Sequence, residues 1–239
     1  MAKKKKIKKS SKKTITKRKP IKKMVTKKAK TIKKTTKTKQ KASDKPPPRP
    51  LLTKEEEKLI TYPYDVKIQN VVASASLHHD IPLEKVTITL PNTEYNPEQF
   101  PGLVLRLAKG KTALIFSSGK IVCTGAKSES EVSDTVKMII KELKKVKIFI
   151  KKKPDITIQN MVASGDIKMK LNLDRLAFKL ENAEYEPEQF PGLVYKVPNS
   201  HITFLLFGTG KIVCTGAKNG KEIKDAVKKL VKTLKNVNK

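Results

Sequence analysis

The side chains that most often carry out acid–base or metal chemistry are sparse in this sequence of 239 residues. The three histidines, His78, His79 and His201, lie in predicted turns, with no acidic cluster at the spacing of a metal site or an acid–base pair. The two cysteines, Cys123 and Cys214, are too few for a disulfide framework or a zinc site, and we expect them to be small core residues in a reducing compartment. The sequence therefore predicts a protein that is not an enzyme and that needs no metal or cofactor.

The chain contains two copies of one pattern, offset by about ninety residues. The matching blocks are DVKIQNVVAS (65–74) and DITIQNMVAS (155–164), EYNPEQFPGLV (94–104) and EYEPEQFPGLV (184–194), and GKIVCTGAK, which recurs unchanged at 119–127 and 210–218. Two copies are too few for a solenoid, which needs about three. We predict a closed pseudo-twofold domain with one repeat at 62–150 and the other at 151–239, after a linker at 51–61.

Each copy predicts several short strands followed by a helix. In the first copy a β-rich run at 66–75 precedes a short segment at 82–90, and short apolar or alternating runs follow at 103–107, 112–117 and 120–126. These runs are typical of an antiparallel meander. Helical spacing then relates the apolar residues Val132, Val136, Ile139, Ile140, Leu143 and Val146, and in the second copy Ile223, Val227, Leu230, Val231 and Leu234. Capping-type pairs precede both helices: Ser128 with Glu131, and Asn219 with Glu222.

The strands predict a sheet with one uncovered apolar face. In 112–116 and 203–207 apolar side chains occupy both alternating faces, although the helices can cover only one. Leu114, Phe116, Leu205 and Phe207 would share the uncovered face. A large exposed apolar patch usually marks a partner surface. The alternative is that a second layer of the same chain covers it.

The duplicated motifs IQN-x-VAS, Y-x-PEQFPGLV and GKIVCTGAK resemble those of the TATA-box-binding proteins, over about residues 62–237. The PEQFPG and VCTGAK blocks look more like the archaeal branch of that family. The resemblance implies an α+β fold: a saddle of ten antiparallel strands in a curved sheet, with four helices on the convex face. It also implies that the concave face grips A·T-rich promoter DNA through the minor groove, for which this family is a well-known example.

The resemblance assigns DNA-binding roles to matching positions in both repeats. Asn70 and Asn160 match asparagines that donate hydrogen bonds to base acceptors near the pseudo-dyad, and Thr124 and Thr215 match the threonines beside them. The positions expected against the groove floor are Val72, Val122, Val162 and Val213. The minor groove distinguishes little beyond A·T from G·C, so shape and apolar contact carry much of the fit. The other reading of the asparagines is a turn or strand-end cap.

Four phenylalanines match the residues that wedge between base steps in this family: Phe100 with Phe116, and Phe190 with Phe207. Leu114 and Leu205 match groove-packing leucines. Ordinary core packing is the alternative for all six. It is weakened for Phe100 and Phe190, because each lies in a Pro-flanked P-E-Q-F-P-G loop that matches a stirrup of the family saddle.

The resemblance also implies protein partners. The second stirrup of this family binds transcription factor B, which leads indirectly to RNA polymerase, and Glu186 and Glu188 match its acidic contact positions. The first repeat has Asn96 in place of Glu186, so its loop is less acidic. The alternative is that these carboxylates are only solvated. A homodimer in the absence of DNA, which would cover the apolar face, is left open.

Residues 1–50 form a lysine-rich arm that contains 23 Lys and Arg and only one acidic residue, Asp44. This arm therefore carries most of the chain's net charge of +32. We expect this arm to be disordered, because it has too few apolar residues to offset its ordering entropy. It could neutralise phosphates, act as a nuclear address or be simply solvated. No apolar run suits a signal peptide or a membrane span. We expect an intracellular protein, in the cytoplasm or nucleoid of an archaeon or in a nucleus.

Two other functions are open. A sequence-independent architectural protein would bind A·T-rich and mixed DNA alike. The second alternative is an enzyme, because related half-saddle folds occur in nucleases and glycosylases. The sequence offers few residues that could carry out acid–base or metal catalysis.

Overall fold

The computed structural model describes residues 49–237 of the chain. The predicted arm lies almost wholly outside the described residues, apart from its last two positions, Arg49 and Pro50.

The described chain forms one antiparallel sheet of ten strands, which confirms the predicted α+β fold. The first five strands are β1 (Lys67–Ser76), β2 (Thr93–Glu94), β3 (Gly102–Arg106), β4 (Thr112–Phe116) and β5 (Lys120–Ala126). The second five are β6 (Asp155–Asp166), β7 (Ala183–Glu184), β8 (Leu193–Lys196), β9 (Thr203–Leu206) and β10 (Lys211–Ala217). Their order across the curved sheet is β2-β3-β4-β5-β1-β6-β10-β9-β8-β7, so that each repeat forms one half.

The two halves join through β1 and β6, the first strand of each repeat. These strands pair antiparallel from Lys67 opposite Ser164 to Ser76 opposite Asp155. Near the centre, Val71 lies opposite Met161 and both are fully buried. The repeats therefore share a continuous backbone ladder and a continuous core.

Helices lie on one face of the sheet, which we call the helical face. They are α2 (Leu83–Thr89), α3 (Glu129–Lys145), α4 (Leu173–Lys179) and α5 (Gly220–Val237). The apolar residues predicted at helical spacing are all buried except Ile140, which is half-buried; Val146 lies one residue beyond the end of α3. The predicted caps form as well, because Ser128 Oγ accepts from Glu131 N–H at 3.1 Å and Asn219 Oδ1 accepts from Glu222 N–H at 2.9 Å. None of the helices within residues 49–237 is long and apolar enough to cross a membrane.

A fifth helix, α1 (Lys54–Lys58), lies in the segment predicted as a linker. Thr53 and Glu56 form a capping box at its start. Arg49 makes two 2.8 Å hydrogen bonds to the carboxylate of Glu129, which is 2% exposed at the start of α3. Glu57 accepts a hydrogen bond from the backbone N–H of Ser130 at 3.1 Å. Residues 49–58 are thus fastened to the first turn of α3.

Candidate nucleic-acid interface

The face of the sheet opposite the helices, which we call the open face, carries the predicted DNA-binding side chains. Strand alternation produces this division, because in β5 Ile121 and Cys123 are buried while Val122 and Thr124 keep part of their surface exposed. No second layer of residues 49–237 covers the open face. The structure brings the following predicted residues to this face, all half-buried: Asn70, Val72, Leu114, Phe116, Val122, Thr124, Asn160, Val162, Leu205, Phe207, Val213 and Thr215.

Asn70 is held in a single amide orientation by its neighbours. Its Oδ1 atom accepts a hydrogen bond from the backbone N–H of Gly125 at 2.8 Å, and its Nδ2 atom donates to Thr124 Oγ1 at 2.9 Å. A backbone N–H can only donate, so the oxygen and nitrogen of this amide cannot be exchanged. One N–H of Asn70 is left to donate outward, whereas the hydroxyl of Thr124 donates to Asn70 Oδ1 at 3.1 Å.

The second repeat has the same arrangement. Asn160 Oδ1 accepts from Gly216 N–H at 2.8 Å, and Nδ2 donates to Thr215 Oγ1 at 3.2 Å. In the central ladder Asn70 lies opposite Val162. Val72 lies opposite Asn160. The two donor sets therefore flank the pseudo-dyad and are separated by apolar side chains.

A β-bulge in each central strand places a second amide residue on the open face. Ile68 and Val71 both pack towards the core, although strict alternation would turn residues three apart to opposite faces. The register shift between them accommodates this, and it leaves both Gln69 and Asn70 on the open face. Gln69 Nε2 donates to Ser164 Oγ at 2.8 Å.

The second repeat repeats this bulge at Gln159, whose Nε2 donates to Ser74 Oγ at 2.7 Å. Gln69 and Gln159 were missed by the sequence reasoning. The signal was present in the spacing of Ile68 and Val71, which breaks the two-residue period of the strand.

The glycines beside the asparagines are required by the backbone. Gly125 has a φ of +94°, and a Cβ atom there would lie 2.5 Å from the carbonyl oxygen of Gly110. Gly216 has a φ of +96° and a similar close neighbour in His201. This conformation directs the glycine N–H to the asparagine Oδ1, so the glycine positions the donor set.

We expect Gly125→Ala to lower the free energy of unfolding by about 2 kcal/mol or more, because strain and collision act together. It should also weaken DNA binding, since Asn70 loses its orienting donor. Chemical denaturation and a binding titration measure the two effects. Gly110→Ala is the matched control, because Gly110 has a φ of +70° and open space around a Cβ atom. Equal losses in both variants would contradict the positioning role of Gly125.

Paired phenylalanine rings lie on the open face in both repeats. The ring centroids of Phe100 and Phe116 are 5.9 Å apart at an interplanar angle of 64°. Those of Phe190 and Phe207 are 6.0 Å apart at 66°. Phe100 and Phe190 are 42% and 40% exposed, which is unusual for so large an apolar side chain.

Each ring pair sits directly over a glycine. A Cβ atom at Gly102 would lie 2.6 Å from the ring of Phe100, and one at Gly192 would lie 2.7 Å from the ring of Phe190. The loops are closed by hydrogen bonds from Phe100 N–H to Asn96 O and from Phe190 N–H to Glu186 O, both at 2.9 Å. The sequence P-E-Q-F-P-G thus holds one exposed ring against a partly buried one.

An apolar strip connects the rings to the centre of the open face. Leu114 lies between Val104 and Val122 on neighbouring strands. In the second repeat, Leu205 lies in the same way between two valines, Val194 and Val213. Val104 and Val194 extend the predicted set, and the sequence alone did not indicate them.

Glu186 and Glu188 are exposed in the loop of the second repeat. In the first repeat, Asn96 Oδ1 accepts a hydrogen bond from Glu98 N–H at 3.2 Å. The two loops therefore share their backbone design and differ in charge.

The residues typical of catalysis do not assemble on this face. Cys123 and Cys214 are buried towards the helices, and burial raises the pKa of their thiols to about 11 and about 12. His78 contacts Asp155 at 2.7 Å and His201 contacts Glu222 at 3.4 Å, each as a single pair. Residues 49–237 contain no group of three or more His, Cys, Asp and Glu that could hold a metal ion.

Comparison with known proteins gives consistent matches to both repeats. A family model described as transcription factor TFIID, or TATA-binding protein, matches residues 65–146 and 155–237. The TATA-box-binding protein of Methanocaldococcus jannaschii is 51% identical over 174 residues, which cover 72% of this chain and 95% of that protein. That of Picrophilus torridus is 52% identical over 175 residues, with 72% and 95% covered. The solved structure of Methanococcus jannaschii TBP superposes with a TM-score of 0.68 at 50% identity, and the match covers 72% of this chain and 99% of that one.

Proposed function

Because the chain belongs to the TATA-box-binding protein family, whose members are general transcription factors and not enzymes, we propose that its open face grips the minor groove of A·T-rich promoter DNA. The bound DNA is bent, and the complex recruits transcription factor B and, through it, RNA polymerase. The site of action is the transcription machinery on the chromosome.

The observation that carries this proposal is the pair of outward donor sets within an apolar face. The minor-groove edge of an A·T pair presents only acceptors, the adenine N3 and thymine O2 atoms. The free N–H of Asn70 and that of Asn160 match such acceptors. A G·C pair adds the amino group of guanine at this edge. That donor would face only the asparagine donors and the valines, so it would be left without an acceptor.

The paired rings support bending. Apolar side chains that enter between base steps unstack them, at a cost of a few kcal/mol per step, and kink the duplex. Phe100 and Phe190 are already exposed and backed by Phe116 and Phe207, so no rearrangement of a core is needed. The two wedges stand at corresponding positions of the two repeats.

A competition assay tests the proposed DNA preference. We expect a TATA duplex to bind about 30-fold or more tightly than the same duplex with two central A·T pairs replaced by G·C, because each mismatch costs about 1–3 kcal/mol. The ratio should be measured at one fixed salt concentration, since phosphate contacts vary steeply with salt. Equal affinities would favour the sequence-independent architectural function instead.

Recruitment of transcription factor B through the second loop gives a separate prediction. Replacing Glu186 and Glu188 by glutamine should weaken the ternary complex about 2- to 30-fold, since exposed ion pairs contribute about 0.2–1 kcal/mol each. Binding to DNA alone should not change. Glu98→Gln in the first repeat is the control, and an equal loss from that variant, or undiminished recruitment by the double variant, would contradict the assignment.

A further inference from the structure

The outward side of α5 carries a row of lysines that the DNA-binding face does not use. We call these residues the lysine stripe: Lys221, Lys224, Lys228, Lys229, Lys232 and Lys235. All are exposed except Lys224, which is half-buried. At 100° per residue they fall on one side of the helix, opposite the buried residues Ile223, Val227 and Leu234. The stripe therefore points away from the sheet and from the open face.

The lysines of the stripe lack the neutralising partners that the equivalent helix has. In α3, Lys137 pairs with Asp134 at 3.1 Å and Lys145 pairs with Glu142 at 2.7 Å. None of the six stripe lysines forms an ion pair with any residue in the described part of the chain. Six lysines in α5 stand against two acidic residues, whereas α3 has equal numbers of both. The two helices occupy equivalent positions in the two repeats. The difference in their charge therefore comes from their exposed residues and not from the fold.

The composition of the stripe fits nucleic acid better than protein. Protein interfaces have apolar and aromatic residues at their centres and are depleted in lysine. Among residues 49–237, the large exposed apolar side chains all lie outside α5. DNA-binding surfaces, in contrast, are polar and strongly positive, and lysine neutralises phosphates without reading sequence.

We propose that the lysine stripe is a second, sequence-independent surface for duplex DNA, on the helical face of the protein. From Lys221 to Lys235 the helix rises about 21 Å, at about 1.5 Å per residue. That length corresponds to about six phosphates of one DNA strand, which are about 3.4 Å apart along the axis. Because the stripe and the open face lie on opposite sides of the sheet, one molecule holds a promoter duplex and a second DNA segment together.

The test uses the full-length protein bound to an immobilised TATA duplex, so that the open face is occupied. A labelled duplex of G·C pairs is then titrated at several salt concentrations. In the stripe variant, Lys221, Lys228, Lys232 and Lys235 are replaced by glutamine. We expect its slope of log Kobs against log salt to be shallower than that of wild type by about three to four, because each lost phosphate contact removes about 0.9.

The control variant carries glutamine at four exposed lysines of α3, namely Lys137, Lys141, Lys144 and Lys145. It loses the same charge from the same side of the sheet, and the lysine-rich arm is present in all three proteins. A wild-type slope in the stripe variant, or an equal change in the control variant, would overturn the proposal and leave the stripe to an acidic protein or to solvent. Retention on the TATA duplex is recorded separately, so a failure of the proposed promoter binding is visible as loss of that complex in wild type.

Discussion

Replacing Phe100 and Phe190 together by alanine is expected to abolish most of the DNA bend and to weaken binding to a TATA duplex about 10³-fold. Each exposed ring is a large apolar anchor, and truncation of such an anchor costs about 2 kcal/mol or more. The loss of affinity exceeds what the missing contact area of the two rings would cause, because an unkinked duplex no longer follows the curved sheet. Energy transfer between dyes at the two ends of the duplex measures the bend, and a titration at fixed salt measures the affinity.

Two comparisons separate wedging from core packing at these positions. Phe178→Ala removes an even more exposed phenylalanine, 93% exposed on α4, and should leave both bend and affinity unchanged. If Phe100 and Phe190 served the core, the double variant would lose thermal stability while its folded fraction still bent the DNA normally. Unchanged bending in a stably folded double variant would therefore contradict the wedge mechanism.

The longest helices and the central strands of each repeat followed from local pattern alone. In α3 and α5 the apolar period, the cap residue and the buried face agree with one another, so the sequence determines them locally. Strand β5 was predicted with its observed bounds. Its apolar and small residues alternate, Lys120 marks its start, and the capped helix α3 follows its end. Duplication strengthened each of these assignments, since the same pattern had to fold twice.

The segment before the first repeat could not be predicted in this way. Helix α1 has one short turn of acidic residues and buries no residue of its own, so it shows no apolar period. Its position depends on contacts between residues far apart in sequence, such as Arg49 with Glu129. A charge pair separated by 80 residues leaves no local trace in a single sequence.

The candidate site was predictable in its residue types and less so in its geometry. The family resemblance pointed to Asn70 and Thr124, whereas the orienting role of Gly125 depends on a positive φ. The bulge at Gln69 was hidden for a related reason, because a strand is read with a two-residue period and a bulge interrupts it. Sites built from local irregularities are therefore harder to predict than the regular elements that carry them.

The central asparagines give the second large expected effect. Replacing Asn70 and Asn160 together by aspartate preserves shape and keeps an acceptor for the N–H groups of Gly125 and Gly216. It removes the outward N–H donors and places carboxylates against the acceptors of the A·T edge. Each lost base contact costs about 1–3 kcal/mol and each carboxylate adds repulsion from the facing acceptors, so we expect TATA affinity to fall about 10³-fold. The preference for TATA over the G·C-substituted duplex should fall with it.

The matched control adds the same two negative charges without touching those donors. Gln69 and Gln159 lie beside the asparagines on the open face, and replacing both by glutamate repels phosphates from nearly the same positions. General repulsion lowers the affinity for both duplexes equally and leaves their ratio unchanged. A collapsed ratio in the aspartate variant with a preserved ratio in the glutamate variant assigns base discrimination to the asparagine amides. Equal ratios in the two variants would instead assign the preference to the shape and deformability of the A·T-rich duplex.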